Sequence, residues 1–411
     1  MQEDSGFGPL PRRRGSGNVL THVVTAMLGA ALAAGLLLAF YDPASGSQSG
    51  SGTTSSSLNS SEEDIAARVK PGVVLINTTL QYNGEAAAGT GMVINADGLV
   101  LTNNHVIEDS TKITATVVST GKTYPATVVG YDKTGDVALI RLQNASRLTT
   151  VPVASPSPAK AGQTVVALGN AEGQGTITPT AGQITGLSKT ITAGDDVGSA
   201  TSETLDGMIE TNADIVPGDS GGPLAGSAGV IGMNTAGNGV SGPEQGSATG
   251  FAIPIRTATS VARQIAAGQA SSTIAIGYPP FLGVFVGSGS SSSPQTQAQQ
   301  QEQQQNGGSG SQGSSPNCYT SNANLTVPSP IAPVRSGTLI DGVICGSPAA
   351  SAGMTAGAVI TAVNGQAAGS PDDFSSILTR FHPGDTMSVS WVSPSGQHTT
   401  SRLHLTDGPP Q

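Results

Sequence analysis

The feature that most constrains the fold of this chain is a succession of short runs rich in Val, Ile and Thr, separated by turn residues. Glycine, proline and an Asn-Ala-Asp-Gly stretch punctuate the runs between residues 62 and 270. Many short strands at close spacing are typical of all-β sandwiches and barrels. Glycine contributes 56 of the 411 residues and weakens helix interiors, which argues against an all-helical protein. The pattern over 62–270 therefore predicts a mainly β domain of two six-stranded barrels.

The charge balance and the cysteine count argue against several classes of partner and site. The chain has 17 basic and 27 acidic residues and a formal net charge of −10, whereas phosphate binding needs clustered Lys and Arg. We therefore expect no nucleic-acid partner. The two cysteines do not form a Cys-x-x-Cys motif, which argues against a Cys-rich zinc site or a thioredoxin-type redox pair. We expect no metal and no cofactor.

A charge-free stretch near the N-terminus predicts a single-pass membrane anchor. Residues 19–40 contain no Asp, Glu, Lys or Arg, and a helix of that length spans about 33 Å, enough for the hydrocarbon core. Three arginines at 12–14 precede it, so the positive-inside rule makes residues 1–18 a cytoplasmic tail and places the catalytic region outside. The alternative is a cleaved signal peptide, whose apolar region is usually shorter. The Ser/Gly/Thr-rich residues 41–61 are typical of a flexible linker, and a short helix with Ser61 as its N-cap is predicted to follow.

The C-terminal part of the chain predicts a second, small α+β domain over 277–408. A helix with Ser370 as its cap and Pro371 at its first position follows a strand-rich stretch, and a β-hairpin comes after it. Residues 287–316 are Ser, Gln and Gly with almost no apolar side chains. Such a segment cannot bury a core, so we expect a disordered insert.

The strongest chemical motif is Pro-Gly-Asp-Ser-Gly-Gly-Pro-Leu at residues 217–224. A serine nucleophile needs a tight turn that holds its oxygen outward and aims backbone N–H groups at a developing oxyanion. Gly218, Gly221 and Gly222 permit such a turn. The motif makes Ser220 the candidate nucleophile, and the alternative is a glycine-rich turn with an incidental serine.

A serine nucleophile needs a general base and a carboxylate that orients it. Of the five histidines, only His105 lies in the β-rich region, directly after a strand, where a barrel presents reactive groups. The candidate carboxylates are Asp132 and Asp136. Asp136 directly precedes an apolar strand and can be buried, whereas Asp132 lies in the turn and is expected to cap it. The order His105, Asp136, Ser220 is that of chymotrypsin, not of subtilisin or the α/β-hydrolases.

Together these motifs give the chain a clear resemblance to a known family. The chain resembles the HtrA/DegP family of trypsin-fold serine proteases in the stretches GTGMVI, GLVLTNNHVI, GDVALIRL, VVALGN, GDSGGPL, GVIGMNTA and GFAIPI. It resembles the PDZ domain that follows in that family in FLGVFV and GSPAASAGMTAGAVITAVNGQ. The resemblance covers about 62–408 apart from the insert. It implies ATP-independent cleavage of misfolded or regulatory polypeptides outside the cytoplasm, by an enzyme that is usually a trimer.

The resemblance also implies roles for individual residues. It assigns the catalytic triad to His105, Asp136 and Ser220. It assigns the oxyanion hole to the backbone N–H groups of Gly218 and Ser220, with Asp219 between them. Many family members have Asn where Asp219 stands.

The PDZ resemblance assigns peptide binding to Phe281, Leu282, Gly283 and Val284. A PDZ domain captures a C-terminal carboxylate with successive backbone N–H groups and adds the peptide as a strand. The alternative is that this run is only a core strand. The insert begins beside it and would either occlude the groove or hang free.

The residue pattern and the resemblance disagree about specificity. In the trypsin-like fold that the chain resembles, the residue six positions before the nucleophile can form the floor of the S1 pocket, and here it is Asp214. A buried carboxylate there would select Lys or Arg. The family resemblance implies instead a pocket for small aliphatic side chains, walled by Ile215. An unpaired buried acid is costly, so we expect an exposed Asp214 and an aliphatic preference.

Cys318 and Cys345 are expected to form a disulfide. Both lie outside the cytoplasm by the membrane argument, and both flank the point where the insert rejoins the small domain. In the chain-entropy model such a bridge stabilises by roughly 3–4 kcal/mol. The alternative is a pair of free buried thiols.

The sequence therefore predicts a membrane-anchored serine endopeptidase with polypeptide substrates and a PDZ domain that binds C-terminal peptides. The alternative from another class is a non-proteolytic chaperone or peptide-binding scaffold. Such a scaffold would not need an intact triad.

Overall fold

A computed structural model describes the chain from residue 58 onward with short gaps. The described residues are 58–82, 84–154, 159–194, 202–235, 249–305, 318–321, 325 and 328–410. The predicted cytoplasmic tail, the predicted membrane span at 19–40 and nearly all of the predicted linker lie outside them. Among the described residues, no helix is both long enough and apolar enough to cross a membrane.

The first helix, α1, covers Ser60–Val69 and begins two residues earlier than the sequence indicates. Its N-cap is Asn59, not Ser61, because Asn59 can form a reciprocal capping box. The Asn59 side chain accepts the N–H groups of Ser61 and Glu62, and the Glu62 carboxylate accepts the Asn59 N–H at 2.9 Å. The helix therefore starts inside the stretch predicted as linker.

Six strands form the first barrel. They are β1 (Val73–Leu80), β2 (Glu85–Asn95), β3 (Leu99–Thr102), β4 (Lys112–Val117), β5 (Lys122–Asp132) and β6 (Val137–Leu142). All pairings are antiparallel in the order β5-β4-β1-β2-β3-β6, and β6 pairs back onto β5 to close the ring. Alternate residues of β4 point inward, as expected for strands with one buried face.

Six further strands form a second closed barrel in the order β10-β11-β12-β9-β8-β7. They are β7 (Thr164–Gly169), β8 (Thr178–Gly194), β9 (Ser202–Thr211), β10 (Pro223–Gly226), β11 (Gly229–Thr235) and β12 (Gly250–Pro254). The mainly β architecture with barrels agrees with the strand pattern of the sequence.

The two barrels pack against each other through a shared apolar cluster, and each barrel also has an apolar cluster of its own. Met92 and Leu101 of the first barrel and Leu168 and Met233 of the second belong to a single cluster of buried side chains. Helix α1 and a second helix, α2 (Ile255–Ala266), complete this cluster. The loops at the junction of the barrels therefore stand on a rigid base.

After α2 the chain crosses into a small α+β domain. Strand β13 (Ile274–Ile276) adds to the free edge of β5, and the small domain follows directly. Its elements are β14 (Pro280–Phe281), β15 (Val284–Phe285), α3 (Pro294–Gln305), β16 (Thr338–Leu339), β17 (Gly342–Val343), α4 (Pro348–Ser351), β18 (Val359–Val363), β19 (Gln366–Ala367), α5 (Pro371–Leu378), β20 (Thr386–Val392), β21 (His398–His404) and β22 (Thr406–Asp407). As the sequence predicts, α5 is capped by Ser370, whose hydroxyl accepts the Asp373 N–H at 3.2 Å.

The expected disorder of 287–316 does not extend to its first half, where Pro294–Gln305 forms α3. Composition missed this helix because one buried amide anchors it. The Gln297 side chain donates to the carbonyls of Ser291 and Gly337 and accepts the Leu339 N–H, each at 2.8 Å. These bonds satisfy polar groups at the edge strand β16. Residues 306–317 lie outside the described residues.

A disulfide joins Cys318 to Cys345 where the chain returns from the insert. The next residue, Tyr319, pairs in parallel with Ile344 and is buried. The returning chain therefore covers the outer edge of β17.

Candidate active site

The loops that carry the three predicted triad residues meet at the junction of the barrels. His105 follows β3, Asp136 precedes β6, and Ser220 precedes β10. Thr90 of β2 joins two of these loops. Its N–H donates to the Ser220 carbonyl at 2.9 Å, and its own carbonyl accepts the hydroxyl of Thr102, at the end of β3, at 2.7 Å.

The Asp136 carboxylate is buried against the His105 ring. His105 Nδ1 lies 3.0 Å from both carboxylate oxygens, and the His105 backbone N–H donates to Oδ1 at 3.1 Å. The Thr235 hydroxyl donates to Oδ2 at 3.0 Å. With Nδ1 facing the carboxylate, the proton-accepting nitrogen that remains on the half-buried ring is Nε2.

The two candidate carboxylates, Asp132 and Asp136, have different environments in the structure. Asp132 Oδ1 accepts the Gly135 N–H at 3.1 Å and caps the turn, as its position in the sequence predicts. Asp136 instead adopts a left-handed backbone conformation with φ of 49° at the end of this turn. The Asn103 side chain holds it there by donating to the Asp136 carbonyl at 2.9 Å.

The loop before Ser220 has its carbonyls anchored in the protein. Glu172 N–H donates to the Pro217 carbonyl at 2.7 Å, and the Thr90 hydroxyl donates to the Gly218 carbonyl at 2.8 Å. In a trans peptide the N–H points opposite to the carbonyl, so the Gly218 N–H is directed away from Glu172. Within the described part of the chain, neither the Gly218 nor the Ser220 N–H donates to a protein acceptor. Both donors are available to a ligand.

Only glycine fits the position before Asp219. Gly218 has φ of 94°, and a Cβ there would lie 2.2 Å from the Asn170 carbonyl oxygen. A side chain at this site would therefore push the loop off the Asn170 backbone and displace its N–H.

Asp219 is a buried carboxyl group without a cation near it in the described structure. Its Oδ2 accepts the Val216 N–H at 3.1 Å, while Oδ1 has no hydrogen-bond partner among the described residues. Burial raises the pKa of Asp219 from an ordinary 3.8 to about 6; the Val216 N–H lowers this pKa and the negative charge of Asp214 raises it. The loop that carries the candidate oxyanion donors thus contains a carboxylate that is costly to ionise.

The two predicted S1 residues lie in different environments. Asp214 is exposed, in agreement with the expectation that an unpaired acid would not be buried there. Ile215 is 5% exposed and packs in the core cluster of the second barrel. The structure therefore places no carboxylate of Asp214 in a buried pocket.

The four predicted peptide-binding residues lie between β14 and β15. Leu282 is buried in the core of the small domain, and Gly283 has φ of 81°. Phe281 and Val284 are half-buried. The Phe281 ring stacks on Tyr82, at the β1–β2 turn of the first barrel, with ring centres 5.4 Å apart.

Sequence reasoning missed Thr235, Thr90 and Asn103. These residues act on groups that are distant in sequence, and only the fold brings them together. The one available signal was the position of Thr235 in GVIGMNTA, a stretch that the family resemblance contains. Among the described residues, no group of three or more His, Cys, Asp or Glu side chains is placed to hold a metal ion.

Two family models match the chain. The model of the trypsin-like peptidase domain matches residues 89–233, and that of the PDZ domain matches residues 339–386. The first match lies within the two barrels and the second within the small α+β domain.

Several curated proteins are similar to the chain. Serine protease PepD of Mycobacterium tuberculosis is 31% identical over 361 residues, which are 84% of this chain and 66% of PepD. The periplasmic pH-dependent serine endoprotease DegQ of Escherichia coli is 38% identical over 43% of this chain and 37% of DegQ. The chain thus spans at most about two thirds of these relatives. Among solved structures, the HtrA-type protease AlgW with tripeptide covers 85% of this chain and 98% of its own, at 26% identity and a TM-score of 0.43.

Replacing Asp219 by Asn should stabilise the protein at neutral pH. The folded-state pKa of about 6 exceeds the ordinary 3.8, so Asp219 contributes full stability below about pH 4 and loses it as the pH rises through about 6. The free energy of unfolding of Asp219→Asn, minus that of the parent, should therefore grow by roughly 2 kcal/mol between pH 4 and pH 7. Urea denaturation of the variant and the parent at both pH values measures this difference. Asp214→Asn, an equal charge change on the exposed neighbour, should give a much smaller change of the same sign, because it removes only the part of the Asp219 pKa shift that the Asp214 charge causes. A pH-independent difference for Asp219→Asn would contradict the assignment.

Proposed function

The chain belongs to the HtrA/DegP-like family of trypsin-fold serine proteases with a C-terminal PDZ domain, and we propose that it is a serine endopeptidase that acts outside the cytoplasm. The observation that carries the proposal is the contact of His105 Nδ1 with the buried Asp136 carboxylate, at the same barrel junction as Ser220. Its substrates are polypeptides, including misfolded and regulatory proteins.

In this proposal Ser220 Oγ attacks the carbonyl carbon of the scissile peptide bond. His105 Nε2 takes the hydroxyl proton, and the Asp136 carboxylate stabilises the resulting imidazolium. The N–H groups of Gly218 and Ser220 stabilise the oxyanion. His105 then gives its proton to the leaving amine, which produces an acyl-enzyme, and a water molecule activated by the same histidine releases the acid.

The surroundings of Asp136 support this division of roles. A buried carboxylate that keeps its charge needs hydrogen-bond donors, and the His105 backbone N–H and the Thr235 hydroxyl supply two. These donors leave the carboxylate able to hold the Nδ1 proton. The histidine thereby keeps one tautomer, in which Nε2 is the ring nitrogen that acts as the base.

We infer that the PDZ domain binds C-terminal peptides at residues 281–284 and regulates the protease. Two contacts with the first barrel support such coupling. Phe281 stacks on Tyr82, and the Pro410 carbonyl, near the end of the small domain, accepts the Asp109 N–H at 2.8 Å. Asp109 lies in the loop that follows His105. A ligand that moves Phe281 would therefore disturb a surface that continues to the catalytic loop.

The location and assembly are also proposals. Relatives such as DegQ carry the word periplasmic in their names, and the charge-free residues 19–40 would hold this chain at the outer face of the cell membrane. A homotrimer is what the family resemblance implies.

The alternative of a non-proteolytic chaperone or scaffold makes a different prediction for a simple assay. The full chain should cleave casein, and Ser220→Ala should abolish the cleavage. A scaffold would hold casein without cutting it.

Ser220→Ala, His105→Ala and Asp136→Asn should each lower kcat by a factor on the order of 10⁴ without unfolding the protein. Because the three residues act as one unit, double variants should lose little more than single ones. Steady-state cleavage of a fluorogenic casein, with thermal denaturation as the folding control, measures this. Asp132→Asn is the matched control and should keep most of the activity. A large loss of kcat in Asp132→Asn with a small loss in Asp136→Asn would show that Asp132, not Asp136, is the triad carboxylate.

The protease should prefer small aliphatic residues at P1. The exposure of Asp214 supports this preference, because a basic side chain would find no buried carboxylate there. A peptide library profiled with the parent and with Asp214→Ala should give the same aliphatic preference. If the parent cleaved after Lys or Arg and Asp214→Ala did not, the predicted aliphatic preference would be wrong.

The PDZ domain should be accessible from outside the cell. The three arginines at 12–14 precede the charge-free span, which orients the rest of the chain outward. Added protease should degrade a PDZ epitope on intact cells, with a cytoplasmic protein as the protected control. A protected PDZ domain would refute the topology, and a mature N-terminus near residue 45 would replace the anchor by a signal peptide.

A further inference from the structure

The loop at residues 281–284 is held from behind by one short stretch, residues 344–349, which we call the buttress. The Ile344 N–H donates to the Gly283 carbonyl at 2.9 Å, and the Ser347 hydroxyl donates to the same oxygen at 3.3 Å. The contact is so close that a Cβ on Gly283 would lie 2.1 Å from the Ser347 Cβ. The buttress therefore sets the position of the loop.

The buttress also sets the direction of the N–H groups of the loop. The Ala349 N–H donates to the Leu282 carbonyl at 3.0 Å, so this carbonyl, like that of Gly283, points inward. In a trans peptide the N–H lies opposite the carbonyl. The N–H groups of Gly283 and Val284 must then point away from the buttress, as the capture of a carboxylate by successive N–H groups requires.

A disulfide fixes the buttress near its start. Cys345 is bonded to Cys318, and its N–H donates to the Tyr319 carbonyl at 2.8 Å. The Tyr319 N–H donates to the Val343 carbonyl at 2.7 Å, directly before the buttress. The returning end of the insert is thus fastened to the stretch that shapes the loop.

We propose that the Cys318–Cys345 disulfide positions the peptide-binding loop of the PDZ domain, and that its reduction weakens the binding of peptides with a free C-terminal carboxylate. The inference rests on the proposed peptide binding at residues 281–284. A dithiol such as dithiothreitol reduces the bond: the dithiol becomes a cyclic disulfide, and each cysteine sulfur gains one electron and one proton. The chain has only these two cysteines, so the reductant changes no other group of the protein.

The test measures peptide binding to the full chain in its oxidised and reduced forms, on a Ser220→Ala background that prevents cleavage. The probes are fluorescein-labelled octapeptides ending in Val, Leu or Phe with a free α-carboxylate, and their C-terminal amides are the controls. Fluorescence anisotropy should show roughly tenfold weaker binding after reduction, because the competent loop is then only fractionally populated. The double variant Cys318→Ser/Cys345→Ser should bind like the reduced chain and should not respond to the reductant.

The fluorescence of the single tryptophan serves as a folding control. This residue, Trp391, is buried in the core of the small domain, so its emission reports whether that domain stays folded after reduction. If the domain unfolds, Ser347→Ala tests the buttress with the disulfide intact, since it removes one bond to the Gly283 carbonyl together with the N-cap bond from the Ala350 N–H. It should weaken binding a few-fold. The matched control is Ser351→Ala in the same short helix, where the hydroxyl donates only to the Ser347 carbonyl, and this variant should bind like the parent.

The outcomes distinguish the role of the disulfide from peptide binding at residues 281–284. Equal affinities of the oxidised and reduced chains, with Trp391 buried in both, would overturn the role of the disulfide and leave peptide binding intact. If the domain unfolds on reduction, equal peptide affinities of Ser347→Ala and Ser351→Ala would overturn the proposal that the buttress positions the loop. An oxidised chain that binds no carboxylate peptide, or binds the amides equally, would refute the proposed peptide site and this inference with it.

Discussion

The buried carboxylate of Asp136 joins the two barrels at the place where the candidate active site forms. Its hydrogen-bond donors come from both sides: His105 follows a strand of the first barrel, and Thr235 ends β11 of the second. Because a buried charge without donors would be very costly, any shift between the barrels that broke these bonds would be opposed by the carboxylate itself. The orientation of the His105 ring is therefore tied to the packing of the whole double barrel.

The same peptide geometry recurs in the two candidate binding loops. In each, a glycine with positive φ lies between carbonyls that accept hydrogen bonds from a rigid neighbour, Gly218 beside Thr90 and Gly283 beside the buttress. In the first loop the anchored Pro217 carbonyl turns the Gly218 N–H outward, and in the second the anchored Leu282 and Gly283 carbonyls turn the next two N–H groups outward. One loop would receive the oxyanion of a reaction, and the other the carboxylate of a peptide end.

Asp219 stands apart from this pattern. It is a carboxyl group in the middle of an anion-binding loop, and only one of its oxygens accepts a hydrogen bond from the described structure. Burial raises the pKa of Asp219, so keeping a negative charge in this loop is costly. An amide would make the Val216 contact without that charge.

The sequence by itself determined the alternation of short strands, the two-domain order and the residues His105, Asp136 and Ser220 as candidates, since strand period and motif spacing are local properties. Even the separate environments of Asp132 and Asp136 could be predicted, because one lies in a turn and the other before an apolar strand. Only the tertiary structure decided which donors reach Asp136, that Gln297 anchors a helix in a polar insert, and that a disulfide lies behind the candidate peptide-binding loop. These contacts join residues dozens of positions apart, and their energy depends on burial and direction, which only the folded chain supplies.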